Sequence, residues 1–177
     1  LTQAAGAGGL TLVLGGARSG KSRYAEGLIT ALPSPWIYVA TAEAGDAEMA
    51  ERIAMHRAQR ASGWQVIEAP HDLASALAAA PAGAPVLIDC LTIWLSNRML
   101  ADADVAAELG HLEEALDHRV GPVVLVSNEV GSGIVPDNAL ARRFRDLQGR
   151  VNQRIAARVD RVALVVAGLP LIMKGSA

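Results

Sequence analysis

The stretch GGARSGKS at 15–22 has the residue types and spacing of a phosphate-binding loop. Gly15, Gly20, Lys21 and Ser22 occupy the fixed positions of G-x-x-x-x-G-K-S, with Gly16, Ala17, Arg18 and Ser19 between them. Glycines let backbone N–H groups wrap a phosphate with no Cβ in the way, and the N-terminus of a following helix adds partial positive charge. Lys21 would reach the β- and γ-phosphates, and the Ser22 hydroxyl would coordinate Mg²⁺. The alternative is a chance glycine-rich turn. Against it stand the apolar LTLVL at 10–14 before the loop and a helix expected from about Gly20. The motif implies a nucleoside triphosphate site.

A phosphate-loop enzyme often has an acid at the end of another apolar strand, near the metal. VLIDC puts Asp89 in such a place, although a strand-end cap for the next helix, TIWLSNRML, explains it too. Glu129 in VSNEVGSGIVP also follows an apolar strand, with Gly131 and Gly133 allowing an unusual turn. Glu68 ends WQVIE. A strand-end carboxylate there can accept the paired N–H donors of a guanine edge, but any surface acid looks the same in sequence.

Four histidines remain to be weighed. His111 and His118 lie on a polar helix face with Glu113, Glu114, Asp117 and Arg119, which a solvated face explains. His71, between Pro70 and Asp72, reads as part of a helix entry. His56 sits in MAERIAMHRAQR, within roughly 60° of Met49 and Ile53 on a helical wheel, and so on a semi-apolar face. From the pattern alone a packed, hydrogen-bonded histidine is the default.

These groups need elements to position them. Strands are expected at LTLVL (10–14), WIYVA (36–40), WQVIE (64–68), VLID (86–89), VVLVS (123–127) and VALVV (162–166). Several are apolar at every position, as in a mostly parallel sheet covered on both faces. Helices are expected at about 20–31, 44–60, 72–79, 92–101, 104–119 and 138–159, with Asp72, Asp104 and Asp137 as N-caps. The alternation argues for an α/β doubly wound fold of the P-loop type, whose ligands bind at the carboxyl ends of the strands.

The 177 residues suit one domain at 10–177, after a loose tail at 1–9. Hydrophobic residues make up 51% but include only three Trp, two Tyr and one Phe, so Val, Leu, Ile and Ala must fill the core. A net charge of −2 gives no general attraction to nucleic acid or anionic lipid. The single cysteine, Cys90, excludes a disulfide framework. The apolar run from Val162 to Met173 is interrupted by Gly168 and Pro170 and is too short for a bilayer. A cytoplasmic protein is expected.

Several segments together are more specific than the loop. GGARSGKSRYAE, the YVAT strand end, DAEMAERIAMHR, VLIDCLTIWLSN, SNEVGSGIVP and RRFRDLQGRVNQRIA occur in the order found in one family. From about Leu10 to Gly168 the chain resembles the bifunctional adenosylcobinamide kinase/adenosylcobinamide-phosphate guanylyltransferases of cobalamin biosynthesis. The resemblance implies two reactions. A nucleoside triphosphate, ATP or GTP, phosphorylates the aminopropanol hydroxyl of adenosylcobinamide. The product then receives GMP from GTP through a guanylyl-histidine, giving adenosyl-GDP-cobinamide and pyrophosphate. The family histidine falls on His56. Some members have two adjacent histidines; here Met55 precedes His56, which leaves one candidate.

The resemblance further implies nucleotide contacts at 15–22, at Ala40, Thr41 and Ala42, at Arg57, Ala58, Gln59 and Arg60, and at Glu68 and Asp89. It also implies a homotrimer. Asp89 is left between metal and nucleotide. Glu129 is a candidate base for the kinase step, and Arg142, Arg143 and Arg145 are expected to include salt-bridge partners, with one phosphate contact among them. Two competing readings are a monofunctional P-loop kinase with a structural His56 and a non-catalytic GTP-binding regulatory module.

Overall fold

The computed structural model describes residues 9–43 and 62–176. The expected helix at 44–60 lies outside them. The elements in chain order are β1 (Leu10–Gly15), α1 (Lys21–Thr30), β2 (Trp36–Ala40), β3 (Trp64–Glu68), α2 (Leu73–Ala79) and β4 (Val86–Asp89). There follow α3 (Leu91–Leu100), α4 (Val105–Asp117), β5 (Val123–Asn128), α5 (Ala139–Arg158), β6 (Arg161–Val166) and β7 (Leu169–Lys174). Six of these strands run parallel in the order β3-β2-β4-β5-β1-β6, and β7 adds antiparallel to β6.

The continuous apolar runs are explained by burial on both faces. Val123, Leu125, Val86, Ile88 and Leu12 point to a core shared with Leu73, Trp94, Leu95, Leu112, Leu116, Val151 and Ile155 of α2 to α5. The alternate residues Val124, Val126, Leu87, Val13 and Tyr38 pack with Ala25 and Ile29 of α1. Each fully buried Leu or Val contributes roughly 1.5–3 kcal/mol of transfer free energy, so the two clusters hold the sheet between its helices. Glu113 breaks the reading of α4 as a wholly solvated face: it is buried and accepts from Arg154 Nε and Nη2 of α5 at 2.8 and 2.6 Å. Among the described residues no helix is long and apolar enough to cross a membrane.

Two caps are as expected. Asp72 accepts from the Ser75 N–H at 2.9 Å and from the Ser75 hydroxyl at 2.6 Å, and these bonds hold its carboxyl below the usual range. Asp104 accepts from the N–H groups of Ala106 and Ala107. The third differs: Asn138, not Asp137, caps α5 by accepting from the Ala141 N–H at 2.7 Å. Strand β7 is a further difference. Gly168 and Pro170 read as interruptions of an apolar run. The chain instead turns at Ala167 and Gly168, with φ of 52° and 80°, the left-handed pair a tight hairpin requires, and pairs back on β6.

Candidate active site

The parallel strands bring Gly15, Ala40, Glu68, Asp89 and Asn128 to one edge of the sheet as their carboxyl-terminal residues. Loop 15–20 turns there from β1 into α1. Gly15 is buried, and a Cβ on it would lie 2.4 Å from Ser19 Oγ and 2.7 Å from Val165 O. Gly20 has φ +94° and caps α1 with no side chain of its own. The first N–H groups of α1 are thus left for an anion, with no acid in the first turn to compete. The loop is fastened on both sides. The Gly168 N–H of the hairpin turn donates to Ser19 O at 2.8 Å, and the Glu129 N–H donates to Gly15 O at 3.1 Å. Gly16, Ala17 and Arg18 remain exposed. Lys21 Nζ donates to Gly16 O at 3.1 Å, and the half-buried Ser22 follows it on α1.

Gly15→Ala tests whether this packing matters. Overfilling so tight a space costs about 1–3 kcal/mol. The variant should melt several degrees lower and bind nucleotide at least about tenfold more weakly, measured by thermal denaturation and calorimetry, because relief requires moving Ser19 or β6.

Asp89 ends β4, with β5 between it and β1, about 10 Å across by strand spacing. Its Oδ2 accepts from the Tyr38 hydroxyl at 3.2 Å. Cys90 follows it in a buried place. Burial, reinforced by the neighbouring Asp89 carboxylate, pushes the thiol up to about 11. Only roughly one thiol in ten thousand is then ionised at neutral pH. Iodoacetamide at pH 7.5 should leave the native chain unmodified and label it after denaturation, as mass spectrometry would read.

Thr41 has a structural role at this edge. It is fully buried, and its hydroxyl both accepts from the Cys90 N–H at 2.8 Å and donates to Cys90 O at 2.9 Å. Its carbonyl accepts from Asn97 Nδ2, which also donates to Pro70 O. The side chain therefore staples the end of β2 to the end of β4. Ala40 and Ala42 beside it are half-buried. His71 Nε2 lies 2.9 Å from Glu43 Oε1, so the helix entry also holds the chain that follows β2.

Glu68 is exposed on the outermost strand. Four strand spacings, about 19 Å, separate β3 from β1. A nucleotide that used both Glu68 and loop 15–22 would have to lie along the edge. Glu129 is exposed and adjoins the loop through its backbone, while its Oε1 accepts from the Gly131 N–H at 2.5 Å. Arg142 Nη1 donates to the carbonyls of Pro136 and Asp137, and Arg145 pairs with Asp146. These two thus act as loop and surface partners, and Arg143 is exposed. His56, Arg57, Ala58, Gln59 and Arg60 lie outside the described residues.

The sequence did not point to the polar framework beneath this edge. Ser127 donates to Asn152 Oδ1 at 2.6 Å, and Gln148 Nε2 donates to both, all three being buried. Asn152 Nδ2 donates to Asn128 O at 3.0 Å, and Thr92 Oγ1 accepts from the Asn128 N–H at 2.8 Å. The residues come from β5, α3 and α5, so spacing along the chain gives no sign of them.

A mostly parallel sheet, a glycine loop after its interior strand β1 and a helix start behind that loop with no side-chain cap define a P-loop nucleotide-binding protein. The fold is shared with a Pyrococcus horikoshii OT3 structural-project protein (TM-score 0.57, 9% identity, 96% of this chain and 87% of that one). It is shared also with the RadB recombinase (TM-score 0.52, 16% identity, 88% of this chain and 73% of that one).

Residues 11–173 match the cobinamide kinase / cobinamide phosphate guanyltransferase family, and the chain belongs to it. The bifunctional adenosylcobalamin biosynthesis protein CobP of Pseudomonas aeruginosa is 48% identical over 93% of this chain and 96% of its own length. The CobU proteins of Salmonella typhimurium and Escherichia coli are 42% and 41% identical, over 93% of this chain and 99% of theirs.

Proposed function

We propose that this chain phosphorylates adenosylcobinamide and then transfers GMP from GTP to the product, as a single catalytic domain at 10–177. Family membership over residues 11–173 carries the reading, and the phosphate loop supplies the machinery both steps need. In the kinase step the aminopropanol oxygen attacks the γ-phosphorus, the bond to the β–γ bridging oxygen breaks, and the hydroxyl proton is lost. Loop N–H groups and Lys21 hold the triphosphate and meet the charge that develops on it. Glu129 is the nearest acid along the chain to the loop's β5 neighbour and is proposed to take the proton.

In the second step a neutral His56 nitrogen attacks the α-phosphorus of GTP and pyrophosphate leaves. An oxygen of adenosylcobinamide phosphate then attacks that phosphorus, and the nitrogen–phosphorus bond breaks. Arg57 to Arg60 are proposed as nucleotide contacts beside His56, with Glu68 as the partner of the guanine edge. Ser22 and Asp89 present a hydroxyl and a carboxylate, hard oxygen donors of the kind Mg²⁺ takes together with phosphate oxygens. When bound there, the ion neutralises phosphate charge. The assembly is proposed to be a cytoplasmic homotrimer.

The test uses GTP labelled at the α- or γ-phosphorus. Acid-labile, alkali-stable label retained on denatured protein from the α-labelled form alone is expected. The γ-label should pass to adenosylcobinamide. Absence of any protein-bound α-label would overturn the guanylyl-histidine.

A further inference from the structure

The fold fixes one residue with unusual care and then leaves its side chain short of a partner. Asn128 ends β5, paired in register with Gly15 at the start of the phosphate loop. Two residues earlier, Val126 pairs with Asp89. Along β5, Val124 and Val126 pack with α1 residues Ala25 and Ile29, whereas Ser127 reaches Gln148 and Asn152 of α5. Alternation therefore puts the Asn128 side chain on the α1 side, the side of Lys21 and Ser22. The same alternation from Leu87, which packs with α1, puts Asp89 there as well.

The backbone of Asn128 is locked at both ends. Thr92 Oγ1 takes its N–H, and Asn152 Nδ2, itself set in the buried net with Gln148 and Ser127, holds its carbonyl. The next N–H, that of Glu129, is bonded to Gly15 O. Yet Asn128 Oδ1 is buried with no hydrogen-bond partner among the described residues. A buried acceptor left without a donor costs about 1–3 kcal/mol, so its retention needs a reason.

We propose that the Asn128 carboxamide contacts the terminal phosphoryl group of the nucleotide held by loop 15–22. Nδ2 donates to a phosphoryl oxygen, and Oδ1 accepts from the Lys21 ammonium once that turns from Gly16 O to the phosphates. The inference rests on the phosphate-loop reading and extends it to a residue that is no part of the loop motif. A carboxamide suits this place because it offers two donors without adding charge beside Asp89. It would be a catalytic residue of the phosphoryl transfer, sensing the γ-phosphate and not the nucleoside.

The experiment compares Asn128→Ala and Asn128→Asp with the unaltered chain in kinase kcat and in affinity for GDP and for a GTP analogue with a non-hydrolysable β–γ bridge. Alanine should lower kcat about tenfold to a hundredfold and weaken the analogue about tenfold, with GDP affinity held within about twofold. Aspartate, of the same shape but repelling phosphate, should weaken the analogue further. A purely structural role would lower GDP and analogue affinity together and overturn the proposal. So would kcat and an analogue-to-GDP ratio that stay within about threefold of the unaltered chain in both variants, the result expected if Oδ1 merely holds a buried water. Should neither variant fold, the side-chain amide resonance of Asn128 in the unaltered protein decides. A shift with the analogue but not with GDP supports the contact, and equal response to both overturns it. Lys21→Ala serves as the control, since analogue binding unaffected there would instead remove the phosphate-loop reading itself.

Discussion

Replacing His56 by alanine is expected to abolish the acid-labile label that α-labelled GTP leaves on the protein, while γ-phosphoryl transfer to adenosylcobinamide continues. The two steps attack different phosphorus atoms. The kinase nucleophile is the substrate's own hydroxyl, so it needs the loop and not the imidazole. Guanylylation has no substitute for the nitrogen lone pair, and loss of a covalent nucleophile should cost at least about a thousandfold. The same lone pair gives a pH signature in the unaltered chain. Protonation removes it, so guanylylation should decline on the acid side of the imidazole range, measured by rapid-quench labelling at saturating GTP. Undiminished label in the alanine variant would make another residue the carrier. Parallel loss of both activities would make His56 structural or essential for the loop's geometry.

Much of the site was legible because its signals are local. The loop at 15–22 is contiguous, and β1, β2, β4 and β5 announce themselves by apolar runs suited to parallel strands covered on both faces, while the edge strand β3 shows only as the short WQVIE. What escaped detection depends on partners far away in sequence. Thr41 looks like a strand-end contact, but its hydroxyl closes on Cys90, 49 residues on. The framework that fixes Asn128 joins α3, β5 and α5, and any one of Thr92, Gln148 or Asn152 reads in isolation as ordinary helix polarity. Strand β7 was hidden for another reason. Gly168 and Pro170 are breakers in a helix or a central strand, but the first is suited to a left-handed turn and the second is tolerated on an edge strand. The Asp137 cap failed by one residue, because Asn138 offers the same kind of oxygen to the same helix start.

The position of Glu68 raises a point that the linear motif set does not. Loop 15–22 and Glu68 stand at separate places on one edge, with Asp89 between them on β4. If the guanine of GTP lies at Glu68, its α-phosphate falls on the Glu68 side of the loop and pyrophosphate lies toward β1. On the proposed reading, the α-phosphorus attacked in the guanylyl step then lies between Glu68 and the loop, with the β- and γ-phosphates still at the loop.

Lys21→Ala should therefore depress both activities, each by about a hundredfold to a thousandfold in kcat/KM. Although the bonds broken differ, both leaving oxygens belong to the β-phosphate. Kinase transfer leaves the β–γ bridging oxygen on the departing diphosphate, and guanylylation leaves the α–β bridging oxygen on pyrophosphate. An ammonium that reaches the β- and γ-phosphates meets the developing charge in either case. Among the described residues Lys21 Nζ makes one hydrogen bond, to Gly16 O of the exposed loop, so its removal should lower stability by no more than about 1 kcal/mol. The defect would then be one of chemistry and binding, not of folding. Arginine should not restore it, because a planar guanidinium cannot replace a compact ammonium in a loop fastened to Gly168 and Glu129. Loss of only one activity would mean that the two triphosphates bind in different places, and parallel assays of γ-transfer and α-labelling on the same preparation would distinguish these outcomes.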